Sequence, residues 1–402
     1  MLTTAEAAQA ISESMPSYAS ERVTYTDATG RILRQSVNAE RDQPPFDRVM
    51  MDGIAVRFAA LFAGTHQFVI QGTQHAGDPV QTLANDQNCI EIMTGSVLPR
   101  ESDCVIPVER ITVEANIATV EAGYQTERLR FVHAQGSDHR QGQEVLPAGA
   151  RISPLDIAII ASCGLESVLV GKQPVVRVIS TGNELIAPGK PVAEHQIRMS
   201  NGPALVAMMS QQGFTETTHD HLVDEAALLR KHIANHLQEA DVLVLSGGVS
   251  MGKADFVPQV LNDLGVEMVF HKISQRPGKP MWFGTGPDRQ IVFALPGNPV
   301  SALVCCRQYV LPALLQATGR TRGLQESAVL NAAITFDPPL TCFLPVRVAS
   351  LADGSIGATA VPTNTSGDFA ALSGTDGYVE LSREQNEFPA GSIVPLHRWA
   401  TP

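Results

Sequence analysis

Asp241-Val242-Leu243-Val244-Leu245-Ser246-Gly247-Gly248 is the stretch whose reading decides the fold. Four consecutive apolar side chains leave no polar face, so a strand here must be covered on both sides. The small residues and paired glycines that follow mark a tight turn into a helix. Two other stretches repeat the pattern. Val175-Val176-Arg177-Val178-Ile179 runs into Ser180-Thr181-Gly182-Asn183-Glu184 and then a helix from Ser200 through Met209. Ile291-Val292-Phe293-Ala294-Leu295 runs into Pro296-Gly297-Asn298-Pro299 and another helix. Apolar strands alternating with helices predict βαβ units and a parallel sheet over residues 171–319.

Outward from this block the texture changes. Residues 37–133 carry short alternating strands between Gly and Pro turns, with candidates at Gln67–Ile70, Cys89–Met93 and Cys104–Val108. Residues 1–36 open with a helix, Thr4–Met15, capped by Thr3 or Thr4. A proline-led run, Ser153-Pro154-Leu155-Asp156, starts a further apolar helix. Residues 37–133 therefore read as a β-rich arm and residues 327–402 as a C-terminal β domain. The fold class is multidomain α/β and β.

The formal net charge of −12 argues against a nucleic-acid partner, which needs a basic face. Hydrophobic residues at 44% and charged ones at 17% describe a folded chain rather than a disordered one. The N-terminal stretch has no basic region followed by an apolar core, so no secretory signal is expected. The longest apolar candidate, Val300–Leu315, is interrupted by Arg307 and Gln308, so no membrane span is expected. Cys89, Cys104, Cys163, Cys305, Cys306 and Cys342 form no C-x-x-C pair and read as buried thiols of a cytoplasmic protein.

In open parallel sheets, ligands bind beyond the carboxyl ends of the strands. Three loops occupy that place here: Ser180–Glu184, Ser246–Asp255 and Leu295–Ser301. Glycines there admit close approach of backbone N–H groups to an anion, and a following helix N-terminus adds positive potential. Any one loop could be a tight turn and nothing more. Three at one sheet edge favour a nucleotide-like ligand. Between the second and third lies Gln275-Arg276-Pro277-Gly278-Lys279-Pro280, two cations stiffened by prolines into an oxyanion clamp, or else a solvated basic turn. Glu184 and Asp255, at loop tips, are candidate Mg²⁺ ligands.

Gly248-Val249-Ser250-Met251-Gly252 also matches the G-x-S-x-G pattern of a serine hydrolase. The turn is looser than a nucleophile elbow, and only His271 and His397 follow as partners. His232 and His236 share a helix face but lack a third zinc ligand, and His219-Asp220-His221 is no stronger.

With these loops in view, the chain resembles the molybdopterin molybdenumtransferases, the MoeA and gephyrin E-domain family. The resemblance rests on Pro44-Pro45-Phe46-Asp47-Arg48-Val49-Met50-Met51-Asp52-Gly53, Ile92-Met93-Thr94-Gly95, Gly136-Ser137-Asp138 and Thr181-Gly182-Asn183-Glu184-Leu185. Gly247-Gly248-Val249-Ser250, Pro277-Gly278-Lys279-Pro280 and Leu295–Ser301 complete a collinear series. It implies four subdomains, with residues 1–36 and 134–170 joined as a linking subdomain, a MogA-like central domain and an elongated homodimer with its cleft between protomers. The implied activity is Mg²⁺-dependent transfer of molybdate to adenylylated molybdopterin, releasing AMP.

The resemblance also assigns residues. Asp52, Thr94, Asp138, Glu184 and Asp255 are implied as catalytic, with Glu184 and Asp255 on the metal. Thr181, Gly182, Gly247, Gly248, Ser250, Asp224, Pro296, Gly297, Asn298 and Ser301 are implied for molybdopterin, and Arg276, Lys279, Arg347 and Ser366 for molybdate. A molybdopterin adenylyltransferase and molybdoenzyme assembly proteins are the implied partners. Four positions depart from the common pattern: Arg276 for Lys, Asn183 for Asp, His133 for Arg, and Lys253 where an acid is frequent. A non-catalytic molybdopterin-binding scaffold is the alternative, and molybdate is not separable from tungstate.

Overall fold

The computed structural model describes residues 1–248, 256–321, 323–337 and 339–400. The chain forms two compact units. One holds Met1–Gln35, Gly149–Ser153 and Ser167–Pro402; the other holds Ser36–Ala148 and Pro154–Glu166.

In the larger unit, a six-stranded sheet has the order Thr217–Leu222, Val176–Thr181, Val242–Ser246, Ile291–Leu295, Trp282–Thr285, Glu267–His271. The first four strands are parallel; the last two run antiparallel and form one edge. The apolar runs account for the parallel centre, because successive residues face opposite ways and both faces are covered. Val176, Val178, Val242, Val244, Ile291 and Phe293 pack in one core with Leu205, Met209 and Ile11 of helices Asn201–Gln211 and Thr4–Ser14. Ile179, Leu243, Leu245, Val292 and Ala294 pack on the other face against Ile233 and Leu261 of helices Ala226–Glu239 and Val257–Asp263. Three layers result.

Thr3, not Thr4, caps the first helix. Its hydroxyl accepts from Glu6 N–H at 3.2 Å while Glu6 accepts from Thr3 N–H at 2.8 Å, a reciprocal capping box. The apolar stretch that carries Arg307 and Gln308 is one helix, Pro299–Ala317, 19 residues long. It is long and apolar enough to cross a membrane by composition, but most of it is buried against the sheet. Arg307 and Gln308 are accommodated by a single π turn, Cys306–Val310, rather than by a break.

The C-terminal strands Thr341–Ser350, Ile356–Ala360, Ser327–Leu330, Ile393–Arg398 and Gly377–Leu381 pair in that order. The last pairs back to the first, so the sheet closes on itself as a small barrel. Gln275–Arg276 adds to this barrel alongside Thr341–Cys342. Elsewhere in this unit Ser20–Thr24 pairs antiparallel with Ser167–Gly171.

In the smaller unit a six-stranded sheet has the order Cys104–Pro107, Gly53–Val56, Asn88–Ile92, Gln67–Gln74, Ile117–Val120, Ile111–Glu114. Gly53 is obligatory there: a Cβ would lie 2.0 Å from the Ile106 carbonyl oxygen. The sixfold sheet of the larger unit depends on Phe293, fully buried with Phe283 at 5.0 Å between ring centroids. Phe293→Ala is expected to destabilise that unit by about 3–5 kcal/mol, read as an earlier urea-unfolding midpoint.

Candidate functional site

The strand order fixes where a ligand can enter. The chain leaves Val176–Thr181 toward Thr217–Leu222 on one side, then returns to Val242–Ser246 on the other. Between those two central strands lies the reversal point, where the carboxyl ends open a crevice. The loops after both strands, and the loop after Ile291–Leu295, meet there.

Their closeness follows from missing side chains. A Cβ on Gly247 would stand 2.6 Å from the Thr181 carbonyl oxygen, and one on Gly248 would stand 2.7 Å from Val257 Cγ2. Both glycines have positive φ, at +103° and +67°. Gly297 approaches Gly247 Cα, at 3.6 Å from where its Cβ would be. Asn201, first residue of its helix, ties two loops together, its amide donating to Ser246 Oγ at 2.9 Å and to the Gly297 carbonyl at 2.8 Å. Ser200–Met209 as a helix did not expose this role; an Asn opening a helix beyond a glycine turn was the available signal. The Thr181 hydroxyl, 4% exposed, has no partner among the described residues and faces Gly247 and Gly248. An unpaired buried hydroxyl costs about 1–3 kcal/mol, which points to a ligand.

Around this crevice, the first loop is tied to the edge strand. His221 Nε2 bonds the Gly182 carbonyl at 2.8 Å, and Asp224 N–H donates to Asn183 Oδ1 at 3.1 Å. Asn183 thus has a local use that brings Asp224 to the loop. The Glu184 carboxylate folds over Gly182, is exposed, and makes no hydrogen bond or ion pair among the described residues. No group of three or more His, Cys, Asp or Glu is placed to hold a metal ion among the described residues. A free carboxylate beside anion-binding turns suits Mg²⁺, which takes few protein ligands and completes its shell with phosphate oxygens and water. Ser250, Lys253 and Asp255 lie outside the described residues.

The third loop reaches the C-terminal barrel. Asn298 donates to Ser366 Oγ at 2.7 Å, and Val300 N–H to the Ser366 carbonyl at 3.1 Å. Pro296 and Ser301 are buried beneath it, while Gly297 and Asn298 are exposed. The Arg276–Lys279 turn sits on the helix that follows. A Cβ on Gly278, φ +92°, would stand 2.4 Å from Cys305 Sγ and 3.7 Å from the Ser301 carbonyl oxygen. Buried Gln275 braces the turn, donating to the Pro277 carbonyl at 3.0 Å and accepting from Tyr309 OH. Arg276 and Lys279 are both exposed, and neither makes an ion pair among the described residues. The guanidinium of Arg276 lies 6.0 Å from the Phe336 ring centroid. Arg347 is apart from this group. It lies five residues beyond Cys342, the barrel partner of Arg276, roughly 17 Å along the strand, and donates to the Gly374 carbonyl at 3.2 Å.

Within the smaller unit, the segment Asp47–Gly53 gathers the other candidates. Asp52 Oδ1 accepts from Thr94 N–H at 2.6 Å and from Thr94 Oγ1 at 2.7 Å. Those two bonds, the backbone one first, hold the Asp52 carboxyl below its ordinary range. Gly95 and Ser96 bond to Val49, and Val132–His133 pairs with Arg48–Val49 on the other side. Asp138 follows that second flank, where His133 bridges Arg48 and Asp138 at 3.0 Å each. Arg48 can only donate, so His133 accepts at Nδ1 and donates from Nε2 to Asp138. The histidine thus holds Asp138 in place.

The histidines set aside for zinc have other partners. His236 bonds Asp220 at 3.0 Å, and His219 bonds Ser180 at 2.9 Å, its pKa lowered first by burial. His397 stacks on Tyr378 at 5.1 Å and bonds Glu380 at 3.0 Å inside the barrel.

Comparison with known proteins covers nearly the whole chain. Residues 2–164 match the MoeA N-terminal region (domain I and II), 177–316 a probable molybdopterin binding domain, and 327–399 the MoeA C-terminal region (domain IV). A Synechocystis sp. protein named molybdopterin molybdenumtransferase is 36% identical over 99% of this chain and 100% of its own length. A Haemophilus influenzae protein of the same name is 32% identical over 80% of this chain and 78% of its own. The crystal structure of a molybdopterin biosynthesis MoeA protein from Pyrococcus horikoshii superposes with a TM-score of 0.82 at 28% identity, covering 100% of both chains.

Removing the Thr94 hydroxyl leaves the larger, backbone donor in place. Thr94→Ala is therefore expected to raise the Asp52 pKa only part of the way to the ordinary ~3.9, followed by carboxyl ¹³C NMR titration. Because the folded value is depressed, the bond's contribution to stability is present above ~3.9 and fades as pH falls through the folded pKa.

Proposed function

The chain belongs to the molybdopterin molybdenumtransferase family, and from that premise we propose that it transfers molybdate to adenylylated molybdopterin in molybdenum cofactor biosynthesis, releasing AMP. The observation that carries this reading is the crevice of three glycine turns, two of them tied together by Asn201, around a Thr181 hydroxyl without a partner among the described residues, with Arg276 and Lys279, which make no ion pair among the described residues, on a turn packed against the helix that follows.

The physical problem is repulsion. Molybdate is a dianion and the pterin substrate carries phosphates, so bringing them together costs about 4 kcal/mol per charge pair at ~4 Å and an effective dielectric near 20. Thr181, Gly182, Gly247, Gly248, Ser250, Gly297, Asn298 and Ser301 hold the phosphate-bearing pterin through short N–H and hydroxyl contacts, with Pro296 shaping the third turn and Asp224 at their edge. Arg276 and Lys279 hold molybdate, with Ser366 beside them; Arg347 is assigned to the same oxyanion from farther along the barrel strand. Two fixed cations offset the approach of two anions. Glu184 and Asp255 are the residues that would hold Mg²⁺, and the ion would supply positive charge to neutralise the diphosphate as AMP leaves.

Asp52, Thr94 and Asp138 complete the catalytic machinery. Thr94 keeps Asp52 ionised, so that residue accepts rather than donates a proton. His133 orients Asp138. The enzyme acts as a cytoplasmic homodimer, receives substrate from an adenylyltransferase and delivers cofactor to molybdoenzyme assembly proteins.

Incubation with adenylylated molybdopterin, Mg²⁺ and molybdate is expected to yield AMP and active cofactor; absence of AMP release defeats the reading. Lys279→Gln is expected to raise the molybdate KM by about tenfold or more, with a smaller effect on pterin affinity. Glu184→Ala is expected to lower AMP release by about a hundredfold, partly recovered at high Mg²⁺.

A further inference from the structure

A second cavity, of about 930 Å³, opens elsewhere in the larger unit, beneath the first helix and beside the barrel. Its walls combine Ile11, Leu311, Leu315 and Leu396 with the side chains of Arg307, Arg320 and Arg398. Leu324, at its rim, is fully exposed. This is the size and mixed lining of a small-molecule site.

The charges are unequal. Glu326 lines the cavity but is engaged by Arg398 Nε, at 2.9 and 3.0 Å to its two oxygens. Glu13 also lines it, on the exposed side of the first helix, where it accepts from Gln9 at 2.8 Å. His397 is held by Glu380. Arg307 donates to the Arg398 carbonyl but has no acid, and the Arg320 guanidinium has neither acid nor hydrogen-bond partner among the described residues. Near Arg320, the acceptors of Arg151 among the described residues are neutral oxygens, Gln212 Oε1 at 3.1 Å among them. Burial, and then the neighbouring Arg307, lowers the Arg320 pKa; burial and then Arg320 lower that of Arg151. Arg320 is thus repelled by two guanidinium groups, Arg307 and Arg151, in a chain whose net charge is −12.

The helix is distorted at the same place. Pro312 has no N–H to give the Gln308 carbonyl, and its ring crowds that oxygen. Leu311 N–H reaches back five residues to the Cys306 carbonyl, making the π turn that holds Arg307 and Gln308 in the cavity wall. Gln308 is fixed by the Tyr378 hydroxyl at 2.8 Å. Single π turns recur at functional sites.

We propose that this cavity binds an amphiphilic organic anion, its phosphate or carboxylate on Arg307 and Arg320 and its apolar body against Ile11, Leu311 and Leu324. Arginine forks match the two oxygens of such groups, and the aliphatic wall takes up the remainder. The site is distinct from the strand-end crevice and needs none of its residues.

Phenyl phosphate is the probe, titrated calorimetrically into the full chain carrying Arg276→Gln, so that the proposed molybdate clamp does not contribute. Saturable one-to-one binding is expected, weakened about tenfold or more by Arg320→Gln and by Arg307→Gln. Benzyl alcohol and inorganic phosphate, each carrying half the chemistry, are expected to bind at least about tenfold more weakly. Arg320→Gln is expected to raise the melting temperature of the free protein, by relieving repulsion, while abolishing the rise caused by phenyl phosphate. The proposal is overturned by absent saturable binding, by unchanged affinity in both arginine variants, or by inorganic phosphate binding as tightly as phenyl phosphate. It is equally overturned if Arg320→Gln lowers the free protein's melting temperature, or if an Asp/Glu-rich peptide binds where phenyl phosphate does not.

Discussion

Everything in the strand-end crevice depends on backbone meeting backbone where no side chain fits. Gly247 lies against Thr181 and Gly248 against Val257, each too close for a Cβ, and Gly297 is in ordinary contact with Gly247. The apolar strands beneath make this possible, since residues buried on both faces hold the ends of the sheet in fixed register. Asn201 then closes the arrangement with two hydrogen bonds, so the loops do not need a ligand to find one another. What remains open is an unsatisfied hydroxyl and a set of turns presenting N–H groups. A folded chain retains such a deficit where binding offsets it.

The overall charge of the protein matters less here than its local arrangement. Screening at physiological ionic strength extends about 8 Å, so most of the acidic surface is not felt at Arg276 and Lys279. Those two cations keep their potential because no carboxylate among the described residues pairs with them. Their turn is rigid for a separate reason. Gly278 has room only for hydrogen against the Cys305 thiol, and Gln275 is bonded on both sides of its amide. Burial raises the Cys305 pKa, so the thiol stays neutral and unreactive and serves as packing.

The parallel centre of the sheet was legible in the sequence because its strands have no polar face. Its edges were not. Thr217–Leu222 reads Thr-Thr-His-Asp-His-Leu, polar enough to pass for a loop, because an edge strand is covered less completely. The antiparallel strand Trp282–Thr285 also escaped a reading built on strand–helix alternation, though it joins Glu267–His271 to the parallel centre of the same sheet. The barrel's closure, and the pairing of Ser20–Thr24 with Ser167–Gly171, are contacts between distant segments that no local periodicity records. At the site, the glycine turns and the cation pair were legible as residue types. Asn201, Gln275 and the His133 bridge were not, since each acts through a partner far away in sequence.

One helix connects features that the sequence presents separately. Pro299–Ala317 begins at the third glycine turn, supports Gly278 through Cys305, braces Gln275 through Tyr309, and lines the arginine cavity through Arg307 and Gln308. The π turn falls between its two proline-led halves, Pro299–Cys305 and Leu311–Ala317. A regular α-helix would rotate Arg307 and Gln308 relative to Tyr309 and Leu311, and these four residues already have fixed duties on two sides. The extra residue in that turn lets one element satisfy both, which explains why a helix otherwise packed as core carries an arginine and a glutamine at its middle. Mechanical continuity of this kind is a route by which an occupied cavity could bias the clamp, but coupling in the thermodynamic sense requires two alternative arrangements of the helix. The buried faces of Val304, Cys305, Val310 and Leu314 oppose such a change, because a shifted register would expose apolar surface to water. The helix therefore acts as a shared support, and the two sites are built to be occupied independently.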